Sequence, residues 1–337
     1  MGLKRVLSVL SACVLAVGIM AGCGKSDDES STATEEAKNY KIGIVQIMEH
    51  TSLNTIRDAV VAQLEELGYK DGENCTIDLQ QANNEATMVT QILDKFKADG
   101  DDIIVAITTP CATAAAAYSD EIPVVFSAVT DPVSAGLVQD WENSGDENLT
   151  GTSDKLDITK ILDTALTITP DIKTLGYLYN TGESNSVSCL EEVKEYCDEN
   201  GIELVEASAT TATELAEAAT TLFSKCDAVF SPNDNTVAGA MGTVAQVAID
   251  AGKPMYVGAD SMVQDGGFAT VGIEYTDLGI ETANMVDQIL QGEQAGDIPV
   301  KVFNEDLSTY INKSTAEAIG VTIPEDIENG EKTVFFE

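Results

Sequence analysis

From Lys41 onward the apolar residues alternate between two spacings. Lys41 to Ile47 is a mostly apolar run of strand length. It gives way to a stretch from Ser52 to Leu67 in which Leu53, Ile56, Val60, Val61 and Leu64 recur at i, i+3, i+4. That period predicts a helix burying one face, and Gly68 supplies its stop. A strand from Thr76 to Gln81 follows, then a helix from Glu85 to Ala98 with Met88, Ile92, Leu93 and Phe96 on one side. Ile103 to Ile107 is continuously apolar, as a parallel strand covered on both faces should be. Pro110 to Tyr118 reads as alanine-rich helix and Pro123 to Phe126 as a further strand.

The pattern then restarts. Helices are predicted over Ile158 to Leu166, Ser184 to Glu199 (closed by Gly201), Thr213 to Phe223 and Thr236 to Asp250. Between them lie strands at Thr174 to Tyr179, Glu203 to Ala207, Ala228 to Ser231 and Met255 to Gly258. Such alternation implies right-handed βαβ units and parallel sheets, the α/β class. Two series in succession predict two similar α/β lobes.

The first residues follow another pattern. Lys4 and Arg5 precede an apolar or small stretch from Val6 to Gly22 that ends in Met20-Ala21-Gly22-Cys23. A basic start, a short apolar run and small residues before a cleavage point define a secretory signal, here residues 1–22. The run is short for a hydrocarbon layer of about 30 Å. Cysteine after small residues resembles the bacterial lipobox, with Met20 where Leu is usual, which implies cleavage and diacylation at Cys23. The alternative is an uncleaved anchor helix. From Gly24 to Asn39 no large apolar side chain occurs, so residues 23–39 are expected to be a lipidated cysteine and a flexible tether.

Charge removes whole classes of function. The chain of 337 residues carries 18 Lys+Arg against 57 Asp+Glu, a formal net charge of −39. Phosphate binding needs clustered basic residues, so nucleic acid is excluded as a partner, and docking on anionic lipid is disfavoured. Disorder is also excluded, because 44% of residues are hydrophobic. Beyond Cys23 the cysteines are Cys75, Cys111, Cys189, Cys197 and Cys226, an odd number with no CxxC pair. Neither a zinc site nor a redox motif is supported. Cys189 and Cys197 lie about 12 Å apart along their helix, too far to bridge. Buried free thiols are expected.

In open parallel sheets, ligands bind beyond the carboxyl ends of the strands. Those ends carry Gln46 to Thr51, Thr108 to Ala112, Ser127 to Pro132, Asn180 to Ser186, Ser231 to Thr236, and Asp260-Ser261. Ser, Thr, Asp and Asn are also the preferred helix caps, which explains one such residue per turn. It does not explain the redundancy of Ser184-Asn185-Ser186 and Asn233-Asp234-Asn235-Thr236. Free backbone N–H groups at helix starts also hold a carboxylate well, so a small zwitterion between two such rims fits.

Enzyme motifs are absent. No GxxxxGK[ST], no GxGxxG after a strand and no GxSxG occurs. His50 is the sole histidine, so a catalytic triad or a multi-histidine metal site would have to be built around it. No enzyme activity, cofactor or metal is expected. Asp101-Asp102 precede a strand, at the wrong end for a site, and read as solvated surface.

Several segments together resemble one family. They are Glu49-His50, Thr109-Pro110, Phe126 to Val138 with its Thr130-Asp131-Pro132, and Asn148 to Gly151. Ser231 to Thr236 and Val271 to Gly279 complete the set, and the likeness runs from about Tyr40 to Pro299. The family is the substrate-binding lipoproteins of ABC transporters typified by tryptophan- and tyrosine-binding components. The resemblance implies a type I periplasmic-binding-protein fold, two Rossmann-like lobes with a cleft between them and three hinge crossings. These would fall near Gly151-Thr152-Ser153, Thr270-Val271-Gly272 and Pro299-Val300, with helix Asp277 to Leu290 returning to the first lobe. Lobe I would then comprise 40–151 and 272–298, and lobe II 152–271 and 299–337. Ligand contacts carried over are Glu49, His50, Thr109, Thr130 and Asp131 from lobe I. From lobe II they are Asn180, Ser184, Asn185, Ser186, Asp234, Asn235, Thr236 and Asp260.

The function so implied is an extracytoplasmic, lipid-anchored monomer that hands a small solute to an ABC permease and its ATPase. A sensor or adhesin lipoprotein on the same fold is the alternative. Asp260, Asp234 or Asp131 is expected to pair the ligand's ammonium group. The acidic surface disfavours anionic solutes. After Arg5 the only arginine is Arg57, inside the first helix, so a bidentate clamp for a second anionic group is hard to build. Neutral zwitterions remain, aromatic amino acids first, with Met48, Pro110, Pro132, Tyr179, Pro232 and Tyr275 as apolar walls. Trp141 is expected to pack outside the cleft.

Overall fold

A computed structural model describes residues 39–337. The predicted signal segment, Cys23 and the tether to residue 38 lie outside the described residues. Along the chain run β1 (Tyr40–Gln46), α1 (Thr51–Glu66), β2 (Cys75–Gln81), α2 (Ala86–Asp99), β3 (Ile103–Ile107), α3 (Thr109–Ala115), β4 (Val124–Ser127) and β5 (Leu149–Ser153). Next come α4 (Ile158–Ile168), β6 (Thr174–Tyr179), α5 (Ser184–Asn200), β7 (Glu203–Ser208), α6 (Ala212–Phe223), β8 (Ala228–Ser231), α7 (Asn235–Gly239) and α8 (Met241–Ala251). The chain ends with β9 (Met255–Val257), α9 (Asp260–Gln264), β10 (Ala269–Gly272), α10 (Tyr275–Leu290), β11 (Lys301–Val302), β12 (Ser308–Asn312), α11 (Lys313–Ile319), α12 (Glu325–Glu328) and β13 (Thr333–Phe336).

Two sheets result. The first has six strands in the order β11-β5-β4-β3-β1-β2, all parallel. The second has seven, β13-β12-β10-β9-β8-β6-β7, and is parallel except where β10 meets β12 antiparallel. The expectation of purely parallel sheets is corrected at that one pair. Strands β3, β4 and β5 are buried along their whole length, as parallel strands covered by helices must be. Gly201 ends α5 at φ 66°, a left-handed cap that glycine takes without steric cost.

The crossings fall slightly later than expected. Lys301 and Val302 pair with Thr152 and Ser153, so the chain leaves the first sheet beyond Val302 rather than at Pro299-Val300. Thr270 and Val271 pair with Tyr310 and Thr309, so the second crossing follows Gly272. From there α10 returns to α1. A Cβ added at Gly279 would lie 2.5 Å from the Ile56 carbonyl oxygen, so this helix contact admits only glycine.

Two local expectations are also corrected. The single helix from Thr236 to Asp250 is two, because Ala240, between Gly239 and Met241, leaves helical geometry at φ −116° and ψ 13°. Glycines at 239 and 242 weaken the helix on both sides of the break. Asp101 is buried rather than solvated, and burial, with Asp78 and Asp99 nearby, pushes its carboxyl up to about 6. Asp102 accepts the Lys41 backbone N–H and so ties the start of β1. All five cysteines among the described residues are buried and free. Burial pushes the thiols of Cys111 up to about 12 and of Cys197 and Cys226 to about 11. Among the described residues no helix is long and apolar enough to cross a membrane.

Candidate functional site

The carboxyl ends of the two sheets face each other across a cleft. Its walls include His50, Ser52 and Leu53 from the start of α1, Thr108 and Thr109 after β3, and Ala128 and Thr130 after β4. The second lobe contributes Asn185, Asn233, Asp234, Asn235, Ala238, Ala259 and Met262, while Asp154 and Tyr275 come from the crossings.

The two rims are shaped differently. In lobe I the backbone itself is bent: Thr108 has φ 89° and Ala128 φ 54°, values that side-chain-bearing residues rarely adopt. In lobe II buried carboxylates hold the rim. Asp234 caps α7 by accepting from Val237 N–H at 2.9 Å, and it also accepts from Asn180 N–H and the Ser186 hydroxyl, each at 2.7 Å. Glu183 accepts from the backbone N–H groups of Asn235 (2.9 Å) and Thr236 (3.0 Å), and from the side chains of both. Burial and the neighbouring Asp234 push Glu183 up to about 7.

Asp154 joins everything. It follows β5 at the first crossing and accepts from the Thr130 hydroxyl of lobe I (3.0 Å) and the Asn233 amide of lobe II. The Tyr275 hydroxyl, at the second crossing, donates to it at 2.8 Å. Burial raises its carboxyl pKa, against the hydrogen bonds that favour the charged form.

The lobes touch directly. Ser52 and Ser261 hydroxyls are 2.6 Å apart, Asn233 donates to Thr130 at 2.8 Å, and Asn84 donates to Thr236 at 3.4 Å. His50 Nε2 lies 3.3 Å from Asn235 Oδ1. Burial lowers the His50 pKa to about 4, so the ring is neutral near neutral pH. The cleft is closed.

Nine buried side-chain atoms among the described residues lack a protein partner. Five of these line the cleft: His50 Nδ1, Thr108 Oγ1, Thr109 Oγ1, Asn185 Oδ1 and Asn233 Oδ1. Buried polar atoms are nearly always paired, so this concentration in one cavity marks a place built for a polar guest.

Of the expected contact residues, His50, Thr109, Thr130, Asn185, Asp234 and Asn235 line the cleft. Glu49 is exposed and paired loosely with Arg57 at 3.7 Å, and Ser184 is exposed on α5. Asp131 turns back to accept from Ser134. Asn180, Ser186 and Thr236 are buried within lobe II, bonded to Asp234, to Glu183 and to each other. Asp260 accepts from the Ser261 N–H beside the cleft, and burial pushes its carboxyl up to about 6. Thr108, Asn233 and the organising Glu183 stand in the strand-end segments named from sequence but not among the expected contacts, Ser52 and Asp154 stand in neither, and Tyr275 is named there only as an apolar wall. Trp141 sits outside the cleft, beneath the Lys155 ammonium 5.5 Å from its ring.

The model of the family described as ABC transporter substrate binding protein matches residues 41–334. A tyrosine-binding protein of Clostridioides difficile is 37% identical over 320 residues, which span 94% of this chain and 92% of that protein. Among solved structures, the ABC domain of Streptococcus pneumoniae in complex with L-Trp superposes with a TM-score of 0.83 at 35% identity, covering 88% of this chain and 100% of that one. The ligand-free, open structure of a substrate binding protein with adhesive properties from Clostridium difficile is 37% identical, covering 88% of this chain and 99% of that one. It superposes less well, with a TM-score of 0.67, as a closed cleft set against an open one should.

Proposed function

The chain belongs to the family of ABC transporter substrate binding proteins, and from that premise we propose that its cleft captures a neutral aromatic amino acid for delivery to an ABC permease. The observation that carries this is the meeting of unpartnered polar atoms and the buried Asp154 carboxylate in one cavity that also has an apolar wall. Asp154 pairs the ammonium group: it faces the cleft, and its Oδ1 accepts from the Thr130 hydroxyl beside the solute. The oxygens of Asp234 and Asp131 already serve their own loops, and Asp260 does not line the cleft. Thr108 and Thr109 hydroxyls receive the carboxylate. Leu53, Ala238, Ala259 and Met262 supply the apolar faces that a flat ring needs.

The names of the relatives point the same way, since one binds tyrosine and another was solved with L-Trp. A thermal-shift screen of the purified protein against all amino acids, followed by calorimetry, tests the proposal. A best response to glutamate or a phosphorylated sugar, with none to any aromatic amino acid, would refute it.

Extracytoplasmic display through a diacylated Cys23, and action as a monomer, belong to the same proposal. Cys23→Ala should release the protein from the membrane fraction, whereas continued association would favour an uncleaved helix. A second role in adhesion is supported by the adhesive relative. Host-cell binding by the purified protein tests it.

A further inference from the structure

The amide of Asn235 bridges a buried carboxylate on one side and the sole histidine on the other. Its Nδ2 donates to Glu183 Oε2 at 2.7 Å, and a carboxylate can only accept. The amide oxygen therefore faces His50, 3.3 Å from Nε2. An oxygen there needs a donor, so the proton of the neutral ring sits on Nε2 and leaves Nδ1 as a bare lone pair. That Nδ1 is buried, lines the cleft and has no protein partner.

We propose that Glu183, acting through Asn235, fixes His50 in the Nε2–H form so that Nδ1 accepts a hydrogen bond from a donor on the solute's ring. The specificity rests on the aromatic amino acid proposed above and narrows it. A phenol O–H or an indole N–H can meet Nδ1, and a plain phenyl ring cannot. A phenyl ring would bury the lone pair unpaired, and a site built around a substrate's polar hydrogen rejects the analogue lacking it. Glu183 and Asn235 are positioning residues in this scheme. His50 is the group that touches the solute.

Because the chain has one histidine, its ring nitrogens can be followed without ambiguity by ¹⁵N NMR. The purified protein is measured at pH 8, where Glu183 is ionised and His50 neutral. L-tyrosine, L-tryptophan and L-phenylalanine are each titrated calorimetrically in parallel. The expected result is the Nε2–H form in the tyrosine and tryptophan complexes, a hydrogen-bonded Nδ1, and phenylalanine at least tenfold weaker. In Asn235→Ala the two ring forms should mix, and the preference over phenylalanine should fall below threefold. Glu183→Gln should move both readouts the same way to a smaller degree, because one oxygen remains to accept. A proton on Nδ1 in any complex, or phenylalanine binding as tightly as tyrosine and tryptophan, overturns the inference while leaving amino-acid capture intact. Failure of all three to bind removes the aromatic proposal and this specificity with it.

Discussion

The two rims of the cleft occupy equivalent places in their sheets and are built by opposite means. Lobe I bends its backbone at Thr108 and Ala128 and leaves the hydroxyls of Thr108 and Thr109 without protein partners. Lobe II keeps ordinary backbone there and holds it with Glu183 and Asp234, whose oxygens accept bonds from Asn180, Ser186, Asn235, Thr236 and Val237. Strain leaves side chains free for a guest. Buried charge uses side chains up on the protein itself. The lesson is that polar residues at strand ends divide into those that meet the solute and those that hold the ones that do.

The largest expected effect lies between the rims. Asp154→Asn should cost about 3–5 kcal/mol of binding to an aromatic amino acid by calorimetry, since it removes one partner of a buried charge pair. Unchanged affinity would mean that another group takes the ammonium. Next, the rims should part company in denaturant melts. Asp234→Ala strands several buried donors and should lower stability by roughly 2–4 kcal/mol. Thr109→Ala loses no protein partner and should change stability by less than about 0.5 kcal/mol while weakening binding. Equal stability losses would erase the contrast.

The histidine provides a pH test of comparable size. Its folded pKa of about 4 lies below the unfolded value, so its contribution to stability is complete above about 6.5 and is lost as the pH falls toward 4. Between pH 7 and 4.5 this should amount to roughly 2–3 kcal/mol, at 1.36 kcal/mol per unit. His50→Gln should flatten that part of the curve, read as the difference between the two proteins' melts. An identical pH dependence would show that the ring stays open to water. The smallest effect is at Ala128. Ala128→Gly relieves φ 54° but loosens the unfolded chain, so a net gain of about 0.5–1 kcal/mol is expected in the same melts. A loss would mean that the Ala128 methyl packs against the cleft more than it strains it.

Much of the fold was legible because long amphipathic helices and β-branched runs leave strong periodic marks. Strands Thr174–Tyr179 and Ala228–Ser231 lie where their sequence predicts. What stayed hidden had weak local marks. Leu149-Thr150-Gly151-Thr152-Ser153 has one large apolar residue, yet it is a fully buried strand. Asp154, the first polar residue after it, was therefore not recognised as a strand end. Thr108 and Asn233 stood in the right turns, but composition cannot tell a side chain facing the cleft from one facing its own lobe. Ser184 and Asn185 make the point: adjacent in sequence, one is exposed and the other lines the cavity. Glu183 was invisible for another reason, because its partners lie some 50 residues away, at Asn235 and Thr236.

The five sheltered thiols turn the protein into a recorder of its own history. Each is buried, and burial holds Cys111, Cys197 and Cys226 well above the range in which thiolates form. An alkylating reagent thus passes over the native molecule and tags one whose core has opened. Where opening is slower to reverse than the reaction, the count of tagged molecules over time is a clock for unfolding. Because the cysteines come from both lobes, Cys75 and Cys111 before Asp154 and the other three after it, mapping the tags would tell which lobe lets go first.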